Sequence, residues 1–231
     1  MADLNPQAKQ MADESMVRNL AAQARAIWPQ EVPLLRRYAL PAEPRILDAG
    51  CGTGEAASRL VELFPQARVL GVDIIDHHLE LARVTRRGGY LHLIAEDYGM
   101  LHFQRGALDP RDFWHVAPTY FEAATGTDLF IGRNAFGILT AMNLEEIRVD
   151  YVVVDTLRVP REIFAEILAA WRDGYAEPIG ELTPINRESA VAYFERMIAN
   201  VRDPRGYAVW MVPVVSARVP SGDSALGDQR R

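Results

Sequence analysis

Apolar residues recur along the chain with two periods, and the changes between them mark where strands give way to helices. From Asp13 to Trp28, Met16, Leu20, Ala24 and Ile27 recur at helical spacing. Pro29, Pro33, Pro41 and Pro44 then punctuate the chain, so a helix near Val32–Tyr38 should be short. Ile46 and Leu47 read as the end of a buried strand. After it, Ala56, Ala57, Leu60, Val61, Leu63 and Phe64 repeat at the interval that buries one helical face. Arg68–Ile75 reads as a second strand, His77–Arg83 as a helical piece and Tyr90–Asp97 as a third strand.

Asp109–Ala124 has the pattern of a helix rich in aromatics, with Phe113, Trp114, Tyr120 and Phe121. Thr127–Asn134 reads equally as strand or loop, and a helix then leads into Met142–Ile147. Arg148–Asp155, with consecutive Val152, Val153 and Val154, is a strand. Pro160 suits the first residue of a helix, whose stripe is Ile163, Phe164, Ile167, Leu168, Trp171 and Tyr175. A further helix, Arg187 to Val201, buries Val191, Phe194, Ile198 and Val201. Tyr207–Val219 is the last strand, where Pro213 predicts an edge position or a bulge. No internal repeat is visible. The pattern predicts one domain over residues 1–231, with disordered ends at 1–12 and 220–231 and a helical insertion or cap over 156–206.

The chemistry is concentrated between the first strand and the helix after it, in Leu47-Asp-Ala-Gly-Cys-Gly-Thr-Gly54. Glycine tolerates positive φ and lets backbone approach a ligand closely. The second strand ends in Asp73, an acid that can accept hydrogen bonds from ribose hydroxyls. A dinucleotide fingerprint wants a third glycine three residues beyond the second. Glu55 stands there instead, which disfavours a nicotinamide-dependent oxidoreductase.

The glycine turn, followed by Gly71-Val-Asp-Ile74, closely resembles the first two motifs of S-adenosylmethionine-dependent methyltransferases of the Rossmann-like class. That resemblance implies an α/β fold: a mostly parallel sheet flanked by helices and closed by an antiparallel hairpin. It implies S-adenosyl-L-methionine as cofactor, held by Asp48, Gly50, Cys51, Gly52, Gly54, Asp73 and Ile74. In that family a helix before the first strand often lids the cofactor, although a plain packing helix fits Asp13–Trp28 equally.

The middle of the chain aligns with the family in two ways. In the first, Tyr90–Asp97 is the third strand, Glu96 or Asp97 reads the adenine, and Thr127–Asn134 is the fourth strand. In the second, which we favour, Leu81–Leu93 resembles the helix, double-glycine turn and fifth strand, and residues 138–149 the helix and strand that follow. The third and fourth core strands are then missing, and the sheet is abbreviated. The implied function is methyl transfer to a small-molecule nucleophile. The alternative is a non-catalytic remnant that binds the cofactor or a partner.

Methyl transfer from a sulfonium is an in-line displacement, so alignment and exclusion of water supply much of the catalysis. Asp97, Tyr98, His102 and Trp114 are the candidates for substrate contact; no catalytic base is singled out. The helices after Asp155 could cap a small-molecule pocket, pack the core or pair two copies into a homodimer.

A net charge of −6 argues against nucleic acid or anionic lipid as partner. Cys51 is the only cysteine, so no internal disulfide can form, and no run approaches the length of a membrane span. Both features suggest a cytoplasmic protein. The five histidines have no metal-ligand spacing, and no metal site is expected.

Overall fold

The computed structural model of the protein describes residues 14–72, 85–104 and 110–221. The expectations for residues 1–12, His77–Arg83, Asp73, Ile74 and most of the C-terminal tail lie outside the described residues.

Helix α1 (Glu14–Leu35) runs through both Pro29 and Pro33 as one helix of 22 residues, where the prolines predicted a break. An interior proline costs a helix about 3 kcal/mol, so tertiary contacts must hold it. Both prolines lie on the exposed side, while Met16, Asn19, Ala22, Ala26, Ile27 and Leu35 are buried. The buried stripe is thus rotated from the expected one: Leu20 and Ala24 are only half-buried. Past the first proline, the Gln30 amide pairs with both backbone groups of Val153, donating to its carbonyl at 2.9 Å and accepting its N–H at 3.1 Å. At the next residue, Glu31 Oε1 lies 3.1 Å from His92 Nε2, whose Nδ1 is 2.6 Å from the Tyr38 hydroxyl.

The larger sheet has β6 (Ala208–Arg218) at its centre. β5 (Glu145–Asp155) lies antiparallel along one edge; β3 (Tyr90–Ile94) and then β4 (Leu101–Phe103) lie antiparallel along the other. Alternate side chains of β6 enter different cores. Ala208, Trp210, Val212 and Val214 meet α3 (Pro110–Thr125), α5 (Arg161–Leu182) and α6 (Arg187–Arg202) through Phe113, Phe164, Trp171 and Phe194. Val215 and Ala217 meet Ala135 and Leu139 of α4 (Ile131–Ala141). The segment that read as strand or loop starts α4: Asp128 accepts from Phe130 N and Asn134 Nδ2 at 2.8 Å each.

Pro213 therefore sits in the central strand, not at an edge. Ala95 N–H donates to Pro213 O at 2.9 Å, and a strand residue points its N and its carbonyl to the same side. The missing N–H faces the break between β3 and β4, where a 3-10 turn (Tyr98–Met100) interrupts the neighbouring edge. The proline costs the sheet little because the ladder is already open there.

The smaller sheet pairs β1 (Arg45–Ala49) parallel with β2 (Arg68–Val72), with α2 (Glu55–Leu63) between them in sequence. The α/β class and the antiparallel hairpin are as expected, and among the described residues parallel pairing is confined to these two strands. β3 joins β6 rather than β2, so it is not the neighbour of β2 that the first alignment makes it. α2 has no fully buried residue, although its pattern predicts a buried face. Among the described residues, the sheet beside it has two strands, which do not cover it. Leu47 and Leu70, opposite each other in register, are 43% and 62% exposed. Among the described residues, no helix is long and apolar enough to cross a membrane.

Gln30→Ala should lose about 1–3 kcal/mol of stability, the cost of leaving backbone groups of Val153 unpaired. Denaturant unfolding measures it, and amide exchange at Val153 should accelerate selectively. An unchanged Val153 exchange rate would remove Gln30 as the tether of α1.

Candidate functional site

Gly50, Gly52 and Gly54 all adopt positive φ, at 77°, 48° and 82°. Gly54 N donates to Cys51 O at 2.7 Å, closing the turn, and Gly54 O accepts from Ser58 N in the first turn of α2. A side chain at Gly50 or Gly54 would meet open space, so strain alone selects glycine there. At Gly52 a Cβ would lie 2.6 Å from Leu20 Cδ1. Helix α1 therefore rests on the turn through Leu20. Cys51 points away, toward β2, where a Cβ on Gly71 would come within 3.0 Å of its sulfur.

Asp48 is the penultimate residue of β1, two before Gly50. Its Oδ2 is buried with no hydrogen-bond partner. Burial pushes its pKa up and the nearby Glu31 charge adds to this, while the Ala57 N–H opposes both. An unpaired buried carboxylate oxygen invites a hydrogen-bond donor or a cation.

On the other side of Leu20 lies a cavity of about 310 Å³ between α1, the end of β3, α3, α5 and the start of α4. Leu20 lines it, so the same side chain touches the glycine turn and the cavity. The walls are mostly apolar and aromatic. Tyr98 stacks on Trp114 with centroids 5.3 Å apart, and Trp114 meets Trp171 edge-on at 5.8 Å. Polar groups converge at one place: Glu96 accepts from Tyr98 Oη at 3.0 Å and from Gln23 Nε2 at 3.1 Å. Tyr175 lines the same wall beside them, and burial with the Glu96 charge raises its phenol above the usual range. Burial raises the Glu96 carboxyl above its ordinary value, against the two hydrogen bonds that hold it down. Burial, with the Glu96 charge, raises Tyr98 well above the usual phenol range.

Of the candidates for substrate contact, Tyr98 and Trp114 come together on this wall. Asp97 does not line it. Its buried carboxylate takes a bidentate pair from Arg133, at 2.7 and 2.6 Å, and the Gly99 N–H at 3.0 Å. That clamp anchors α4, whose Gly132 lets the helix pass close to Ala95 and Pro213. His102 is exposed on β4, paired in register with Val209. Asp73 and Ile74, expected at the cofactor, lie outside the described residues.

Sequence reasoning passed over Asn19, Gln23 and Tyr175, and considered Glu96 only as an adenine reader. One signal was available for Glu96. Leu91, Leu93 and Ala95 alternate with Tyr90, His92 and Glu96, so polar residues recur on one face of a strand that packs on both sides.

Residues 46–116 match the family model described as a methyltransferase domain. Over that segment the chain is similar to methyltransferases. An S-adenosyl-L-methionine-dependent Diels-Alderase of Neonectria sp. is 44% identical over 102 residues, 42% of this chain and 40% of that protein. Another of the same description, from Talaromyces variabilis, is 55% identical over 53 residues, 23% of this chain and 18% of that protein. A malonyl-[acyl-carrier protein] O-methyltransferase of Bacillus cytotoxicus is 36% identical over 64 residues, 28% of this chain and 22% of that protein. The chain thus spans less than half the length of these relatives. The matched methyltransferase segment contains the glycine turn together with Glu96, Tyr98 and Trp114 of the cavity wall.

Because burial raises the folded-state pKa of Glu96, stability attached to this group is full at low pH. It falls as pH rises from the ordinary glutamate value of 4.5 through the raised one. Glu96→Gln keeps the shape without the charge. Its Tm relative to the unaltered protein should therefore rise as pH increases from about 4.5. A pH-independent difference would show that Glu96 titrates normally.

Gly52→Val should be more disruptive than Gly50→Ala, because it adds contact with Leu20 to the strain of positive φ. Thermal melts of the two variants test this; equal melting temperatures would mean that Leu20 does not rest on the turn.

Proposed function

We propose that the chain binds S-adenosyl-L-methionine at the Gly50–Gly54 turn and transfers a methyl group to a small-molecule nucleophile in the adjoining cavity. The observation that carries this reading is Leu20, shared by the turn and the cavity wall. The donor set fits the cofactor. Three left-handed glycines leave the backbone accessible, and the unpaired Asp48 Oδ2 suits its ammonium group. Gly50, Cys51, Gly52 and Gly54 form the cradle, and Asp73, with Ile74 beside it, is proposed to take the ribose. When bound, the cofactor supplies an electrophilic methyl group on sulfur. The chain's own part is to hold the acceptor beside the turn, keep water out with the aromatic wall, and take up a proton where the acceptor carries one. Glu96 is the titratable group on the wall suited to that last role.

A second reading is a pericyclic cyclase in which the cofactor is bound but not consumed. The 44% identity with the Neonectria Diels-Alderase over 102 residues favours it. So does the mostly apolar cavity, which suits enforcing a reactive conformation on a neutral chain. The strand order supports a core that lacks a strand-and-helix block between β2 and β3. Such a core could also bind the cofactor without transferring anything.

Calorimetric titration with S-adenosylhomocysteine and with NAD separates these classes from an oxidoreductase: the first should bind and the second should not. Asp73→Ala should weaken S-adenosylhomocysteine binding by about 1.5–3 kcal/mol, the range for a hydrogen bond to a charged group. Asp48→Ala should weaken it too. Binding of NAD alone would overturn the proposal. Unchanged affinity in both variants would move the cofactor away from the turn.

A further inference from the structure

The cavity beside the glycine turn has a polar inventory that restricts what it can hold. Among the described residues, its wall carries no Lys, Arg or His. Of its two carboxylates, Asp128 is committed to Phe130 N and Asn134, and only Glu96 belongs to the converging polar cluster. Glu96 is held on two sides, by Gln23 from α1 and Tyr98 from the 3-10 turn, with Tyr175 of α5 beyond it. One turn before Gln23, on the same face of α1, Asn19 also lines the cavity. Asn19 is 3% exposed, and its Oδ1 has no hydrogen-bond partner. A buried amide oxygen left unpaired costs free energy that a ligand donor would recover.

Resting on the reading of this cavity as the acceptor site, we propose that it selects an uncharged, mostly apolar ring molecule bearing a hydroxyl group. That hydroxyl is held by Asn19 and Glu96. The aromatic wall of Tyr98, Trp114 and Phe121 takes the ring by stacking and apolar contact. An anionic acceptor finds no cation among the described residues of the wall and would face Glu96. The hydroxyl has what the site lacks: an O–H donor for Asn19 Oδ1 or the Glu96 carboxyl, together with an oxygen that accepts. Asn19 and Glu96 are thus specificity-determining residues, and the recognised class is a neutral phenol, enol or alcohol on a hydrophobic frame.

The test uses the full chain and four bicyclic probes that differ only in the polar group: 2-naphthol, naphthalene, 2-naphthoate and protonated 2-naphthylmethylamine. Dissociation constants follow from quenching of tryptophan fluorescence, with Trp114 in the wall. The expected order puts 2-naphthol tightest, about tenfold tighter than naphthalene for one recovered hydrogen bond, with 2-naphthoate weaker than naphthalene and the ammonium probe, whose charge must be desolvated, weaker than 2-naphthol. Asn19→Ala and Glu96→Leu should each erase the preference for naphthol while leaving naphthalene binding within about twofold, a ratio that a purely structural role would not move. Glu96→Gln, which keeps both hydrogen-bonding functions, should retain the preference and serves if the leucine variant does not fold. Equal binding of naphthol and naphthalene, tighter binding of either charged probe, or no binding of any probe would overturn the proposal. S-adenosylhomocysteine is titrated in the same preparations. Its failure to bind, with the naphthol order intact, would remove the methyl-transfer reading and leave the selectivity standing.

Discussion

The arrangement depends on where α1 is held. This helix touches the glycine turn through Leu20, the end of β3 through Gln23 and Glu31, and the edge of β5 through Gln30. It also packs along α5, where Arg18 pairs with Asp173 at 2.9 Å. No strand among the described residues joins the β1–β2 pair to the antiparallel sheet, so α1 is what brings the turn up to the cavity. Its two internal prolines make the same point energetically. A helix that forgoes backbone hydrogen bonds persists only where its partners hold it, and the Gln30 amide does so by completing the open edge of β5 in place of another strand.

The cavity is shaped by a second constraint, the cost of burying polar groups. Glu96 is held by Tyr98 and Gln23 at the end of β3, and the aromatic rings around it keep the dielectric low. The result is a carboxyl held toward its neutral form beside an apolar space. Asp97, its neighbour in sequence, follows the opposite course. Arg133 and the Gly99 N–H saturate it, and it becomes the anchor for α4. Two adjacent acids on opposite faces of the chain thus acquire different work, one lining the cavity and one fastening the scaffold.

Much of this was legible in the sequence. Each of β5, α5 and α6 is found within a residue or a few of the span its periodicity indicates, and Phe164, Ile167, Leu168, Trp171 and Phe194 are buried as that periodicity requires. The three glycines at alternate positions announced a turn of positive φ, because no other residue takes that conformation so cheaply. Tyr98 and Trp114 stood out as candidates and do share the cavity wall.

What the tertiary structure alone decided concerns residues whose role depends on a partner far away in the chain. Pro213 read as an edge residue, because a proline in a strand forfeits a ladder bond; only the break between β3 and β4 across from it makes a central position tolerable. The pattern of α2 promised a buried face, but burial needs an opposing surface, and the width of the β1–β2 sheet is no property of the helix. Asn19, Gln23 and Tyr175 are unremarkable polar or aromatic residues on amphipathic helices, and they form a site with Glu96 only because α1 and α5 converge on the end of β3. Local sequence determined which segments are helix, strand and turn, because periodicity and φ preference act over a few residues. Which polar groups face one another is set by contacts between residues scores apart in the chain, and no local pattern encodes those.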